Sequence, residues 1–181
     1  NNLKTLLVDE KNELGGATIY QNREFNKIEN QSSSDWLKKE IQGLKDVENL
    51  EVKTRTSVAA YHGYNYLLAR ENLTDHLGKN DKEGKIRQRL LKIRAKKVIL
   101  ATGALERPLI FNNNDRPGIM LSSAVKRYAN FYGVVSGRKN VFFTNNDSAY
   151  ESALCLHNKG IKVEAIIDIR ENSNSKIVKT V

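Results

Sequence analysis

The chain has 181 residues, enough to bury one good core, or most of one domain and the start of another. Its 30 Lys and Arg against 21 Asp and Glu give a net charge of +9, yet the basic residues are spread out. The densest group, Lys85 to Lys97, alternates with Ile86, Leu90, Leu91, Ile93 and Ala95 and carries no interleaved aromatic, which disfavours a nucleic-acid surface. A single cysteine rules out an internal disulfide, and the absence of a membrane-length apolar stretch or a signal-peptide pattern leads us to expect a soluble cytoplasmic chain.

Leu3 to Val8 reads as a mostly apolar strand that ends in Asp9-Glu10. The sequence has no initiator Met and starts on this strand, so residues upstream are expected. A short polar segment leads to Gly15-Gly16, which either lets the backbone pass close to a ligand or forms a plain turn. Ser32, Ser33, Ser34 and Asp35 offer caps for a helix that carries Trp36, Leu37, Ile41 and Leu44 at helical spacing. Trp36 is expected to pack in a core or against a partner.

Leu50-Glu51-Val52, Ser57 to Tyr61 and Tyr64 to Ala69 then alternate as strands, with His62-Gly63 as a hairpin turn. They are expected to form an antiparallel meander over about 50–95. Asn72 to Lys85 is polar and reads as a long, poorly ordered exposed loop. After the strand Ile86 to Arg94, the run Val98, Ile99, Leu100, Ala101 has the composition of a central parallel strand covered on both faces, stopped by Thr102-Gly103. Gly103 allows a sharp turn that brings bare peptide groups against a ligand.

Ser122-Ser123 lies just past a Pro-Gly turn and is expected to cap a helix from Ala124 to Tyr132. Beyond Gly137-Arg138 the pattern is strand (Val141 to Thr144), polar turn (Asn145 to Ala149), helix through Asn158 and strand (Ile161 to Ile167) ending at Asp168, the proportions of a βαβ unit. Cys155 sits in the apolar pattern of that helix as a buried thiol. His62, His76 and His157 share no ligand spacing, so no metal site is expected, and no catalytic triad is readable.

This succession predicts an α/β, Rossmann-like FAD/NAD(P)-binding fold: a three-layer parallel sheet with an inserted meander, lacking its first strand, over residues 1–136, followed by the start of a second, degenerate unit over 137–181. In such a fold the second strand ends in an acid that accepts hydrogen bonds from the adenosine ribose. From the residues alone, an Asp-Glu pair that merely ends a strand at the surface is the slightly favoured reading. In the dinucleotide reading, which the resemblance given below supports, Asp9 is the first candidate and Glu10 the alternative, since pleat alternation decides which faces the ribose. The candidate cofactor-binding residues are therefore Asp9, Glu10, Gly15, Gly16, Ala101, Thr102 and Gly103. The G-x-G-x-x-G turn that would hold the pyrophosphate is not in the sequence, so the chain alone is expected to bind NAD poorly. In the second unit Asn145, Asn146 and Asp147 stand where glycines would, crowding and repelling a pyrophosphate.

Ala101-Thr102-Gly103-Ala104, Glu106-Arg107-Pro108 and Asn114-Asp115-Arg116-Pro117-Gly118-Ile119-Met120-Leu121 together resemble the alpha-subunit family of heterotetrameric sarcosine oxidases, within the two-dinucleotide-domain flavoproteins. The resemblance runs over essentially the whole chain. It implies an internal fragment of an oxidoreductase that converts sarcosine to glycine with oxygen and tetrahydrofolate. It further implies NAD in the alpha subunit, FAD and FMN in the complex, and beta, gamma and delta subunits as partners. The reacting centres would lie elsewhere, so no catalytic residue is assigned. The resemblance leaves open whether Glu106, Arg107 and the Asn112 to Arg116 loop shape the site or a subunit contact. Three alternatives compete: an amine or opine oxidase subunit of the same superfamily, a thioredoxin- or disulfide-type flavin reductase, which a lone Cys155 without C-x-x-C disfavours, and a basic scaffold domain.

Overall fold

A computed structural model of the chain describes residues 3–20, 27–78 and 84–179. The backbone divides into two units, one made of Asn1–Gly16 with Asp35–Gly103 and the other of Ala17–Ser34 with Ala104–Val181. The boundary expected at 136/137 therefore moves to 103/104. The reason lies in packing within the later unit, where the helical segment before residue 136 joins the core formed by the residues after it.

In the first unit, β1 (Thr5–Val8) pairs in parallel with β4 (Leu50–Lys53), in the register Thr5↔Leu50 to Val8↔Lys53. This corrects the expectation that residues 50–52 open the meander. The intervening helix α1 (Ser33–Leu44) is the crossover that a parallel pair requires. Trp36, Leu37, Ile41 and Leu44 on α1 are half-buried. The meander proper is β5 (Thr56–His62), β6 (Tyr66–Asn72) and β7 (Gln88–Arg94), antiparallel in that order, with Leu67 and Ala69 of β6 buried. Its first turn takes Tyr64 and Asn65 into positive φ. Of the loop expected over 72–85, residues 79–83 lie outside the described residues. The flanks are tied together rather than loose: Thr74 is buried, Leu73 and Thr74 donate their N–H groups to the Arg87 carbonyl, and Asp75 pairs with Arg87.

The expected strand Val98 to Ala101 takes no place in any sheet. Ile99 is 91% exposed and Leu100 68%. An apolar run earns a place in a sheet only when partner strands present their N–H and C=O groups to it, and none of the described strands does so.

In the second unit, β2 (Lys27–Ile28) and β3 (Gln31–Ser32) form a small antiparallel pair. Helix α2 (Ser122–Arg127) runs on as a wider π-turn, Tyr128–Tyr132. Then β8 (Lys139–Thr144), α3 (Ser148–Asn158) and β9 (Lys162–Asp168) form the expected βαβ unit, with β8 and β9 parallel. Its core joins Ala129, Phe142, Ala149, Ala153 and Leu156, with Val125, Ile161, Val163 and Ile166 packed around them. The small residues on α3 let the helical segment 122–132 approach closely. Buried Cys155 donates to Asn130 Oδ1 at 3.1 Å, and Asn130 Nδ2 donates to the Tyr20 carbonyl at 2.9 Å. Arg127 lies over the rings of Tyr20 (5.4 Å) and Tyr132 (5.8 Å). These contacts fasten residues 17–20 to the second unit.

Ser122 and Ser123 do not cap α2. The helix is capped from a distance by Glu106, whose Oε1 accepts from Ser122 N–H (3.1 Å) and Ser122 Oγ (2.8 Å) and whose Oε2 accepts from Ser123 N–H (2.7 Å). A carboxylate here satisfies two donors that a helix start leaves open and complements its dipole. Burial raises the Glu106 pKa, but the hydrogen bonds from Ser123 and Ser122 together outweigh it and hold the group below the usual glutamate value of 4.5. The stabilisation is therefore present above that value and is lost as pH falls through the lower folded-state value. Glu106→Ala is expected to destabilise the second unit by about 1 kcal/mol, and Glu106→Gln to flatten the acid limb of its stability against pH. Thermal melts of both variants across the acid range check this.

Candidate functional site

At the carboxyl end of β1, Asp9 continues the parallel pairing by donating its N–H to the Lys53 carbonyl at 2.9 Å. Its own carbonyl accepts from Thr56 N–H at 2.8 Å. The half-buried side chain accepts Lys11 N–H on Oδ1 at 2.9 Å, an Asx-type turn that fixes its direction. Among the described residues Oδ2 accepts no hydrogen bond. Glu10 is exposed. The carboxyl edge of a parallel pair is where open α/β sheets bind ligands, so Asp9 stands at the favourable end.

Nearby on the same edge, Lys53 bonds Glu51 at 3.1 Å and Glu71 at 3.2 Å. These two carboxylates, Glu51 first, hold its pKa above the ordinary lysine value. A shallow depression of about 290 Å³ lined by Lys4, Thr5, Leu6, Glu48, Asn49 and Glu51 opens at the opposite, amino end of β1 and β4.

Gly15 and Gly16 both take positive φ, 126° and 54°, and Gly16 opens a 3-10 turn over Gly16–Tyr20. Ala101, Thr102 and Gly103 are exposed. Gly103 has φ +71°, and a Cβ built on it would meet nothing within 4 Å. Glycine is required there by backbone angle, not by crowding, and the open space beside it leaves its peptide groups approachable. Among the described residues no group of His, Cys, Asp and Glu is arranged to hold a metal ion.

The corresponding positions of the βαβ unit are filled by the unit's own side chains. Asn146 Oδ1 accepts from Ser148 N–H (3.0 Å) and Ser148 Oγ (2.6 Å), and Thr144 Oγ1 accepts from Asn146 N–H at 3.1 Å. The first backbone donor of α3, Ser148 N–H, is thus consumed internally. Asp168, at the end of β9, receives the Arg170 guanidinium on both oxygens, at 2.7 to 3.1 Å, and the Tyr150 hydroxyl at 3.0 Å. Arg170 also reaches Asp147 at 2.7 Å. Hydrogen bonds from Arg170 lead the causes that hold both carboxyls below the usual aspartate range. Sequence reasoning assigned Asp168 to a plain strand end. The arginine two residues beyond it was the signal for this network.

No protein-family model matches the chain. It is 39% identical over 178 residues to sarcosine oxidase subunit alpha of Corynebacterium sp. (strain P-1), a match covering 98% of this chain and 18% of that protein. It is 35% identical over 167 residues to the subunit of the same name from Rhizobium meliloti (strain 1021), covering 92% of this chain and 16% of that one. The chain thus spans under a fifth of the length of these relatives. Among solved structures it is similar to L-proline dehydrogenase from P. horikoshii, with a TM-score of 0.68 and 25% identity over 94% of this chain and 32% of that one. With the parallel pairs β1–β4 and β8–β9, that likeness makes the fold Rossmann-like α/β.

Proposed function

Because the chain belongs, over the segment it spans, to the sarcosine oxidase alpha-subunit family, we propose that it forms part of the NAD-binding region of such a subunit, in an oxidoreductase complex that demethylates sarcosine. The observation that carries the proposal is Asp9, held by Lys11 N–H at the carboxyl end of the β1–β4 pair with one carboxylate oxygen left over. That placement suits an acid that accepts the adenosine ribose hydroxyls, with Glu10 as the alternative.

Gly103, with its positive φ and open flank, fits a backbone that lies against the dinucleotide, flanked by Ala101 and Thr102. Gly15 and Gly16 would shape the turn beyond the acid. When bound, NAD would serve as a structural nucleotide, with flavin chemistry in FAD and FMN carried elsewhere in the complex. These residues bind and orient; none is assigned to a chemical step. The ion-paired Asp168 and the self-capped start of α3 argue that the second unit holds no nucleotide.

The reading also accounts for the stranded run Val98 to Ala101. In the full-length protein it would pair with a strand outside this chain, the one that leads into the phosphate-binding turn. Calorimetry tests the proposal. The full-length protein should bind NAD, Asp9→Ala should weaken that binding about tenfold or more, the loss of at least one good hydrogen bond to a charged group, and residues 1–181 alone should bind it weakly or not at all. Micromolar affinity in the isolated chain, or indifference of the full-length protein to Asp9→Ala, would refute it.

A further inference from the structure

The antiparallel sheet has two different faces. Strand alternation and register place Leu67, Ala69 and Glu71 on one side, with Leu67 and Ala69 buried and Glu71 bonded to Lys53 and paired with Arg89. The other side carries three cross-strand rows: Tyr66↔Arg94, Leu68↔Lys92 and Arg70↔Leu90. His62 sits opposite Tyr66 on the same side.

Arg70, Lys92 and Arg94 are exposed, and Leu90 is 62% exposed. No carboxylate among the described residues pairs with any of the three cations. The sheet's own acid faces away, and Asp75, at its end, is committed to Arg87 and Gln88. Three like charges on adjacent strands repel one another, while exposed leucine between them forgoes burial. Both costs are relieved by a surface of opposite charge with an apolar centre.

We infer that this outer face of β5–β6–β7 is a docking surface for another protein subunit, one that presents carboxylates around an apolar patch. The inference is independent of the nucleotide reading. A protein fits better than single-stranded nucleic acid, because the two aromatic rings that the described strands place on this face, His62 and Tyr66, are already engaged, and exposed Tyr64 lies in the turn beyond it. Arg94 lies 5.6 Å over the Tyr66 ring, and His62 stands 5.9 Å from it at 33°. A stacked base needs an open ring face, whereas an arginine held on a tyrosine is a pre-ordered partner for a carboxylate. That relatives of this chain are named as subunits is in keeping with such a partner.

The test uses the full-length protein and the assembly purified with it. In the wild type, a zero-length carbodiimide should join Lys92 to an Asp or Glu of another chain, and acetylation of Lys92 should slow about tenfold or more on assembly. The reversal R70E/K92E/R94E should weaken association about tenfold at low salt, with less effect at high salt where the charges are screened. The footprint of the wild type needs no substitution, so it decides the matter even if the triple variant misfolds. Lys92 acetylated equally fast in free and assembled protein would overturn the inference, as would a full-length protein that assembles with no other chain. An oligothymidine that binds the wild type and is released by the triple reversal would reassign the face to nucleic acid.

Discussion

Leu156→Ala is expected to destabilise the second unit by about 2–5 kcal/mol, the range for removing a fully buried leucine from a core. Leu156 is 2% exposed, and its buried neighbours in the cluster are Ala129, Ala149, Ala153 and Phe142, with Val125, Ile161, Val163 and Ile166 packed at the margin. The three alanines have no spare reach to fill the space, so any partial collapse falls to Phe142 and the marginal branched residues, which sets where in that range the loss lies. The backbone carbonyl of Leu156 also accepts from Lys159 and Ile161 at 3.0 Å, so the residue stands where α3 turns into β9. Since a domain's whole stability is about 5–15 kcal/mol, a loss at the upper end unfolds the unit at ambient temperature. Thermal or urea unfolding read by circular dichroism checks this, and Cys155, 1% exposed in the same helix, gives a second readout: its thiol should become reactive in Leu156→Ala and stay protected in the wild type.

Gly103→Val in the full-length protein is expected to reduce NAD affinity by about tenfold or more, equivalent to about 1.4 kcal/mol. The left-handed φ of +71° costs a side-chain-bearing residue about 1–2 kcal/mol and suits a β-branched one worst. The strain moves the turn, and the new methyl groups fill the space that the proposal gives to the cofactor. Because nothing lies within 4 Å of a Cβ at this position, the free protein has room for the side chain, and its melting temperature should fall far less than that of Leu156→Ala. Gly103→Ala should give an intermediate affinity. Binding isotherms for the three proteins, measured beside their melts, separate a ligand effect from a folding effect.

Elements whose hydrophobic period is answered by neighbours within the chain were legible in the sequence. β1 with its terminal acid, α1 with Trp36 and Leu37 on its half-buried side, and the β8–α3–β9 unit with buried Cys155 all follow from local pattern. What depends on distant partners was not. Leu50–Lys53 looks like any short strand, and only its pairing with Thr5–Val8 makes it part of the parallel sheet. Val98 to Ala101 has the composition of a central strand, but composition says nothing about whether backbone partners are at hand.

The two serines that open α2 resemble a local cap, whereas the capping group is a carboxylate sixteen and seventeen positions away, tied by Oε1 and Oε2 to successive residues. No local pattern reports a contact of that span. That residues 17–20 join the second unit is hidden for a similar reason: Asn130 bonds Tyr20 across a separation of 110 residues. Of the candidate site, residue types and turn geometry were readable, since Gly15, Gly16 and Gly103 all adopt the positive φ that suits glycine. That Lys11 N–H would fix the direction of the Asp9 side chain was not.

Amide hydrogen exchange of the full-length protein, with and without saturating NAD, tests most directly whether Asp9 and Gly103 wall one adenosine pocket. Slowed exchange at residues 9–11 and 102–104 on addition of NAD, with residues 144–148 of the second unit unchanged, is the predicted result. Protection of 144–148, or NAD binding that leaves both of the first two segments untouched, would contradict the account.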